Sequence, residues 1–129
     1  MSYIELEKLG EGGSGSVSRV MTSAGDLYAL KNIYIDESNE GLKGLETIKQ
    51  EIEVMKAMYG RNITMDLIDY EIRPRQVIII MQLAECDLKT FIYENPTISE
   101  HRIASILEDM CTTLNTFHQA GYIHGDIKP

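Results

Sequence analysis

The run Gly10-Glu11-Gly12-Gly13-Ser14-Gly15-Ser16 places four glycines between two stretches of strand-forming residues, and it narrows the possible folds more than any other segment. Glycine lets a backbone turn tightly and come close to an anion, so that successive N–H groups can donate to phosphate oxygens. The same composition also makes a plain flexible turn, so the element directly after the glycines decides the reading. A dinucleotide fingerprint needs a helix there, with its N-terminus on the pyrophosphate. Here Val17-Ser18-Arg19-Val20-Met21 reads as a strand and turns through Ser23-Ala24-Gly25-Asp26 into a second strand, Leu27 to Ile35. The glycine cluster therefore joins two antiparallel strands, which disfavours a dinucleotide-binding oxidoreductase.

Further strands are expected over Tyr3 to Leu9, Met65 to Ile72 and Val77 to Leu83, the last two separated by the turn Arg73-Pro74-Arg75. One helix, from about Leu42 to Tyr59, interrupts them with the stripe Leu45, Ile48, Ile52, Met55 and Tyr59. After Asp87 the chain reads as helices. Ser99 is a good N-cap, and Ile103, Ile106, Leu107, Met110, Leu114 and Phe117 fall within about 100° of one helix face, with Gly121 the expected stop. Little chain remains to cover that stripe, so a partner, a second copy or a following lobe is expected to bury it.

Bulk properties exclude several classes. With 43% hydrophobic and 25% charged residues the chain is globular rather than disordered. Twenty acidic against twelve basic residues give a net charge of −8, which repels nucleic acid and anionic membranes. No apolar run approaches the ~20 residues of a membrane span, and Met1 to Lys8 does not read as a signal peptide. Cys86 and Cys111 have no CxxC spacing and read as reduced thiols of an intracellular protein. His101, His118 and His124 lack ligand-like spacing, so no metal ligands are assigned.

In Leu27-Tyr28-Ala29-Leu30-Lys31, alternation puts Ala29 and Lys31 on one face, about 6.6 Å apart. A small Ala leaves room for a flat ring, and a lysine one step further can reach phosphate oxygens beyond it. The helix offers two acids to orient that lysine. Glu51 lies about 70° from the centre of the apolar stripe and Glu53 about 130°, so Glu51 borders the core and Glu53 faces solvent. Val77 to Met81 reads as a buried strand that passes through Gln82-Leu83-Ala84-Glu85-Cys86 into a short helix at Asp87-Leu88, where Asp87 is either a helix N-cap or a ribose contact.

The final residues, His124-Gly125-Asp126-Ile127-Lys128-Pro129, look like the first part of a catalytic loop. Glycine loop, Tyr-Ala-Leu-Lys, helix acid, hinge and this hexapeptide occur in one order, and with them the chain resembles the eukaryotic protein kinase superfamily from Tyr3 to its last residue. Leu67-Ile68-Asp69-Tyr70-Glu71-Ile72, the Met81 region and Thr116 to Gly121 are similar to the monopolar spindle checkpoint kinases, which are dual-specificity enzymes. The resemblance implies an α+β fold: a kinase N-lobe of five antiparallel strands and one helix over 1–83, then hinge, two helices and the start of a catalytic loop over 84–129. That second part is a truncated helical C-lobe.

The resemblance further implies ATP as cofactor, with Leu9, Gly10, Glu11, Gly12, Gly13, Ser14, Gly15, Ser16 and Val17 over the phosphates. Ala29 and the Met81 gatekeeper would flank the adenine, with the Gln82 carbonyl and Leu83 amide on its edge and Asp87 near the ribose. Lys31, oriented by Glu51, would hold the α and β phosphates. Asp126 would position the attacking hydroxyl of a protein substrate, and Lys128 would neutralise charge on the transferred group. The Mg2+ ligands are expected outside this chain, because the signature's Asn falls two residues past Pro129 and no Asp-Phe-Gly occurs. These 129 residues alone are thus expected to be inactive. Gly125 stands where most kinases carry Arg, which puts the usual activation-loop ion pair in doubt. Location at the nucleus, kinetochore or spindle pole is implied by the resemblance alone.

Overall fold

A computed structural model describes residues 2–128. The chain divides after Leu83 into two compact units. The first holds a five-stranded sheet: β1 (Tyr3–Gly12), β2 (Gly15–Thr22), β3 (Leu27–Tyr34), β4 (Leu67–Arg73) and β5 (Gln76–Met81), in spatial order β1-β2-β3-β5-β4. Every neighbouring pair is antiparallel. The turns follow their local chemistry. Gly25 takes φ +90°, which glycine adopts without steric cost, and the Thr22 hydroxyl accepts the Asp26 amide at 3.1 Å.

Every strand differs from expectation by one to three residues at an end, β5 for instance stopping at Met81 rather than Leu83, and two of the shifts have a visible cause. β1 runs through the glycines to Gly12, which pairs with Gly15, so the loop shrinks to the turn Gly13-Ser14. Continued pairing with β2 there outweighs glycine's weak strand propensity. β4 begins at Leu67 rather than Met65, because Asp66 is engaged elsewhere: its carboxylate accepts the Gly60 amide at 2.8 Å and its carbonyl accepts the Gln82 amide at 2.9 Å. Those bonds close the turn after the helix, where Gly60 has φ +71°.

Helix α1 (Asn39–Ala57) starts three residues before Leu42, where its pattern first points to a helix. Ser38 caps it, its hydroxyl accepting the Gly41 amide at 3.1 Å, and Asp36 accepts the Ser38 amide at 2.8 Å. A Cβ at Gly41 would meet the Asp36 carbonyl oxygen at 2.2 Å, so only glycine fits beneath this cap. Ile48, Ile52 and Met55 bury against Ile35, Leu67, Val77 and Ile79, with Ile33, Leu45 and Met81 packed around them. Each such side chain contributes about 1.5–3 kcal/mol by leaving water. Tyr59 does not complete the stripe as the periodicity predicts: it is 59% exposed and Met58 is buried in its place. The helix ends at Ala57, so its 100° phase no longer governs those residues.

In the second unit Asp87 caps α2 (Leu88–Glu94), accepting the Thr90 amide at 2.7 Å, and Ser99 caps α3 (Glu100–Gln119), accepting the Arg102 amide at 3.1 Å. Ala120 is the C-cap and Gly121, at φ +90°, lies just beyond it. No residue of α3 is buried, although its apolar stripe is present. Among the described residues no helix is long and apolar enough to cross a membrane.

Candidate active site

The β1–β2 hairpin is held to the sheet along one side. Gly15 pairs with Ile33, and a Cβ there would lie 2.0 Å from the Asn32 carbonyl oxygen. The Tyr34 amide also donates to the Ser14 carbonyl at 3.0 Å. Gly15 is therefore required by strand contact, a reason that the glycine pattern alone does not reveal. A Cβ added at Gly10, Gly12 or Gly13 would meet nothing within 4 Å, so their backbone faces open space, as close approach of a phosphate demands. Glu11 is paired with Lys8 at 2.9 Å. A register shift between Lys8 and Gly10 sets Leu9 in a bulge, and bulges re-aim the side chain they carry.

Lys31 lies directly across from Val17 on one side and Ile79 on the other. Its ammonium is 3.1 Å from Glu51 Oε1, both side chains being partly exposed. Glu53 instead accepts from Lys56 at 2.8 Å. Of the two candidate acids the structure thus brings Glu51 to Lys31, 20 residues away in sequence. Ala29 is buried and pairs with half-buried Met81 across the ladder. Gln82 is pinned twice to Asp66: its amide donates to the Asp66 carbonyl, and its side-chain oxygen accepts the Asp66 amide at 3.4 Å. Glycines open to solvent, a cation held by a carboxylate and a small buried residue beside an apolar one fit a nucleotide's phosphates and base.

Within the second unit, the Asp126 amide donates to His124 Nδ1 at 3.1 Å, and Lys128 Nζ lies 3.2 Å from Asp126 Oδ2 with both side chains exposed. The His124 ring lies 6.5 Å from Phe117, which also meets Tyr122 at 5.3 Å. His124 is engaged as an acceptor to the loop backbone. Gly125 has φ +77°, so backbone conformation favours glycine there irrespective of any lost charge. Asp87 serves as an N-cap, and the Thr90 amide holds its carboxyl below the usual carboxylate range. Leu83 and Ser16 are half-buried. Pro129, which closes the hexapeptide, lies outside the described residues.

A family model described as "Protein kinase domain" matches residues 3–129, and the chain belongs to that family. Among curated proteins it is similar to the "Probable serine/threonine-protein kinase mps1" of Dictyostelium discoideum, 30% identical over 132 residues, covering 98% of this chain and 13% of that protein. It is likewise similar to the "Serine/threonine-protein kinase MPS1" of Saccharomyces cerevisiae, 27% identical and covering 98% of this chain and 17% of the other. The "Dual specificity protein kinase Ttk" of Danio rerio is 28% identical, with 98% of this chain and 13% of that one covered. The chain thus spans less than a fifth of the length of these relatives.

Proposed function

We propose that this chain carries the nucleotide-binding lobe and the catalytic-loop aspartate of an ATP-dependent protein kinase, one that phosphorylates protein hydroxyls, chiefly those of Ser and Thr. The observation that carries the reading is the Lys31–Glu51 pair at 3.1 Å together with a glycine hairpin whose outer glycines face open space. The Gly10 to Gly13 backbone and Lys31 would hold phosphates, with Glu51 aiming the lysine. Leu9, Val17, Ala29 and Met81 would enclose the adenine, and the Gln82 carbonyl and Leu83 amide would bond its edge. Asp126 would accept the proton of the attacking hydroxyl, and Lys128 would offset charge on the transferred group. Mg2+, when bound with ATP, supplies neutralisation of the phosphate charge.

Similarity to proteins named mps1, MPS1 and Ttk supports work in cell-cycle checkpoint control, and with it a place at the nucleus, kinetochore or spindle pole. The test is magnesium-dependent phosphate transfer to a protein substrate. With no Asp-Phe-Gly and no catalytic-loop Asn in its 129 residues, the chain by itself is expected to bind ATP without transferring phosphate. Measurable transfer by these residues alone would contradict that expectation. In a protein that continues through the Asn and Asp-Phe-Gly, Asp126→Asn should abolish transfer and spare ATP binding.

A second reading, a non-catalytic nucleotide-binding or interaction module, draws on the uncovered face of α3 from Ile103 to Phe117, which suits self-association. A purified chain that stays monomeric at high concentration in sedimentation counts against it.

A further inference from the structure

Among the described residues two side-chain hydrogen bonds cross from α1 to the sheet, and they leave the helix from opposite borders of its buried stripe. Taking Glu51 as zero and turning 100° per residue, Met55, Ile48 and Ile52 fall at about 40°, 60° and 100°, and Lys56 at about 140°. Glu51 reaches Lys31 of β3. On the far border Lys56 Nζ donates to the Tyr70 hydroxyl of β4 at 3.0 Å and sits 4.7 Å from the Tyr70 ring centroid. Lys56 also donates to Glu53 at 2.8 Å, but that pair lies within the helix and turns with it, so of these two Lys56 bonds it is the one to Tyr70 that spans helix and sheet.

An apolar stripe packed on a sheet resists separation far more than it resists rolling about the helix axis, because hydrophobic contact is non-directional. Rolling is the motion that would carry Glu51 away from Lys31. A tie on one border alone leaves roll free toward that border. Ties on both borders oppose it in each direction. We infer that Lys56 and Tyr70 are a positioning pair that holds α1 at the roll angle where Glu51 meets Lys31. The inference deepens the reading of Lys31 and Glu51 as the phosphate-holding pair, and it can fail separately from that reading.

The test measures how fast a small acylating reagent modifies individual lysines of the 129-residue chain, by mass spectrometry, since a carboxylate bonded to Lys31 shields its amine. Glu51→Gln sets the rate of an unheld Lys31. Lys56→Met is expected to raise Lys31 modification about three- to tenfold, as loss of a coupling contact does. Tyr70→Phe, which keeps the ring, moves it the same way by less, and Lys56→Arg restores the slow rate. In the Glu51→Gln background, Lys56→Met adds nothing further. Lys8 and Lys49 keep their rates throughout.

An unchanged Lys31 rate in Lys56→Met, a matching rise at Lys8 and Lys49, an additive effect on Glu51→Gln, or no rescue by Arg each overturns the positioning role. So does a Glu51→Gln chain whose Lys31 is no more reactive than the parent's. Should Lys56→Met fail to fold, Tyr70→Phe carries the same comparison. ATP binding by Lys31→Met is the separate arm: if affinity is unchanged there, the nucleotide reading fails while the mechanical coupling of the helix stands on the labelling rates.

Discussion

Lys31 and Glu51 meet where both are partly wet, so their pair contributes only about 0–1 kcal/mol to stability and its value lies in orientation. Lys31→Met should therefore leave the melting temperature of the free chain nearly unchanged while removing most of the rise that ATP produces. An equal ATP shift in both proteins, read by calorimetry, would refute this. Gly15 makes the opposite case. Its neighbour is backbone, 2.0 Å from any added Cβ, and Gly15→Ala should cost about 1–3 kcal/mol through overpacking, whereas Gly12→Ala meets nothing and costs far less. Denaturant melts of the two variants compare them directly. Spacing in the glycine run marks where a backbone can approach a ligand, but the contact of Gly15 with Asn32 joins strands in three dimensions and no local pattern records it. Gly125 is similar: read as a missing Arg, it also occupies a left-handed backbone position.

Caps are the most legible feature of the helices, because Ser99 and Asp87 act on amides three residues away and need no tertiary context. Ser99→Ala should cost about 1 kcal/mol of α3 stability, seen as lost helical signal on heating. Tyr59 is not legible in the same way, since periodicity continues in sequence past the point where the helix ends in space. Ser38 and Asp36 together begin α1, and the Ser38 hydroxyl and amide hold the Asp36 carboxyl below its ordinary range. A carboxylate whose folded pKa is lowered stabilises the fold above its unfolded pKa, and that contribution fades as pH falls through the lowered value. Asp36→Asn should therefore flatten the loss of stability on acidification, while raising pH above the ordinary carboxylate range should change the difference between variant and parent little. Glu71, lowered by its bonds to Arg73, acts in the same sense and is left untouched by that substitution.

At the scale of the molecule, the residues that would hold the phosphates and base belong to the first unit, and Asp87 and Asp126 to the second. The five-stranded sheet with its single packed helix is readable from alternation, turn residues and one 3.6-residue stripe, because each strand and the helix carries its own signal. Which face of α3 needs cover is equally readable, but the identity of the cover is not a property of the stripe. Replacing Ile103 and Leu107, both exposed, by Lys should change stability by less than about 0.5 kcal/mol and should lower any concentration-dependent mass seen in sedimentation. A large loss of stability would instead show that the stripe is buried within the chain in solution. The seam at Ser14 and Gly15 has a further effect. The hairpin is stitched to β3 along its β2 edge, while β1 is the outermost strand and lies one strand further from β3, so fraying that starts at β1 leaves the β2–β3 register intact. Val17 thereby keeps its place opposite Lys31 whatever happens at the outer margin of the sheet.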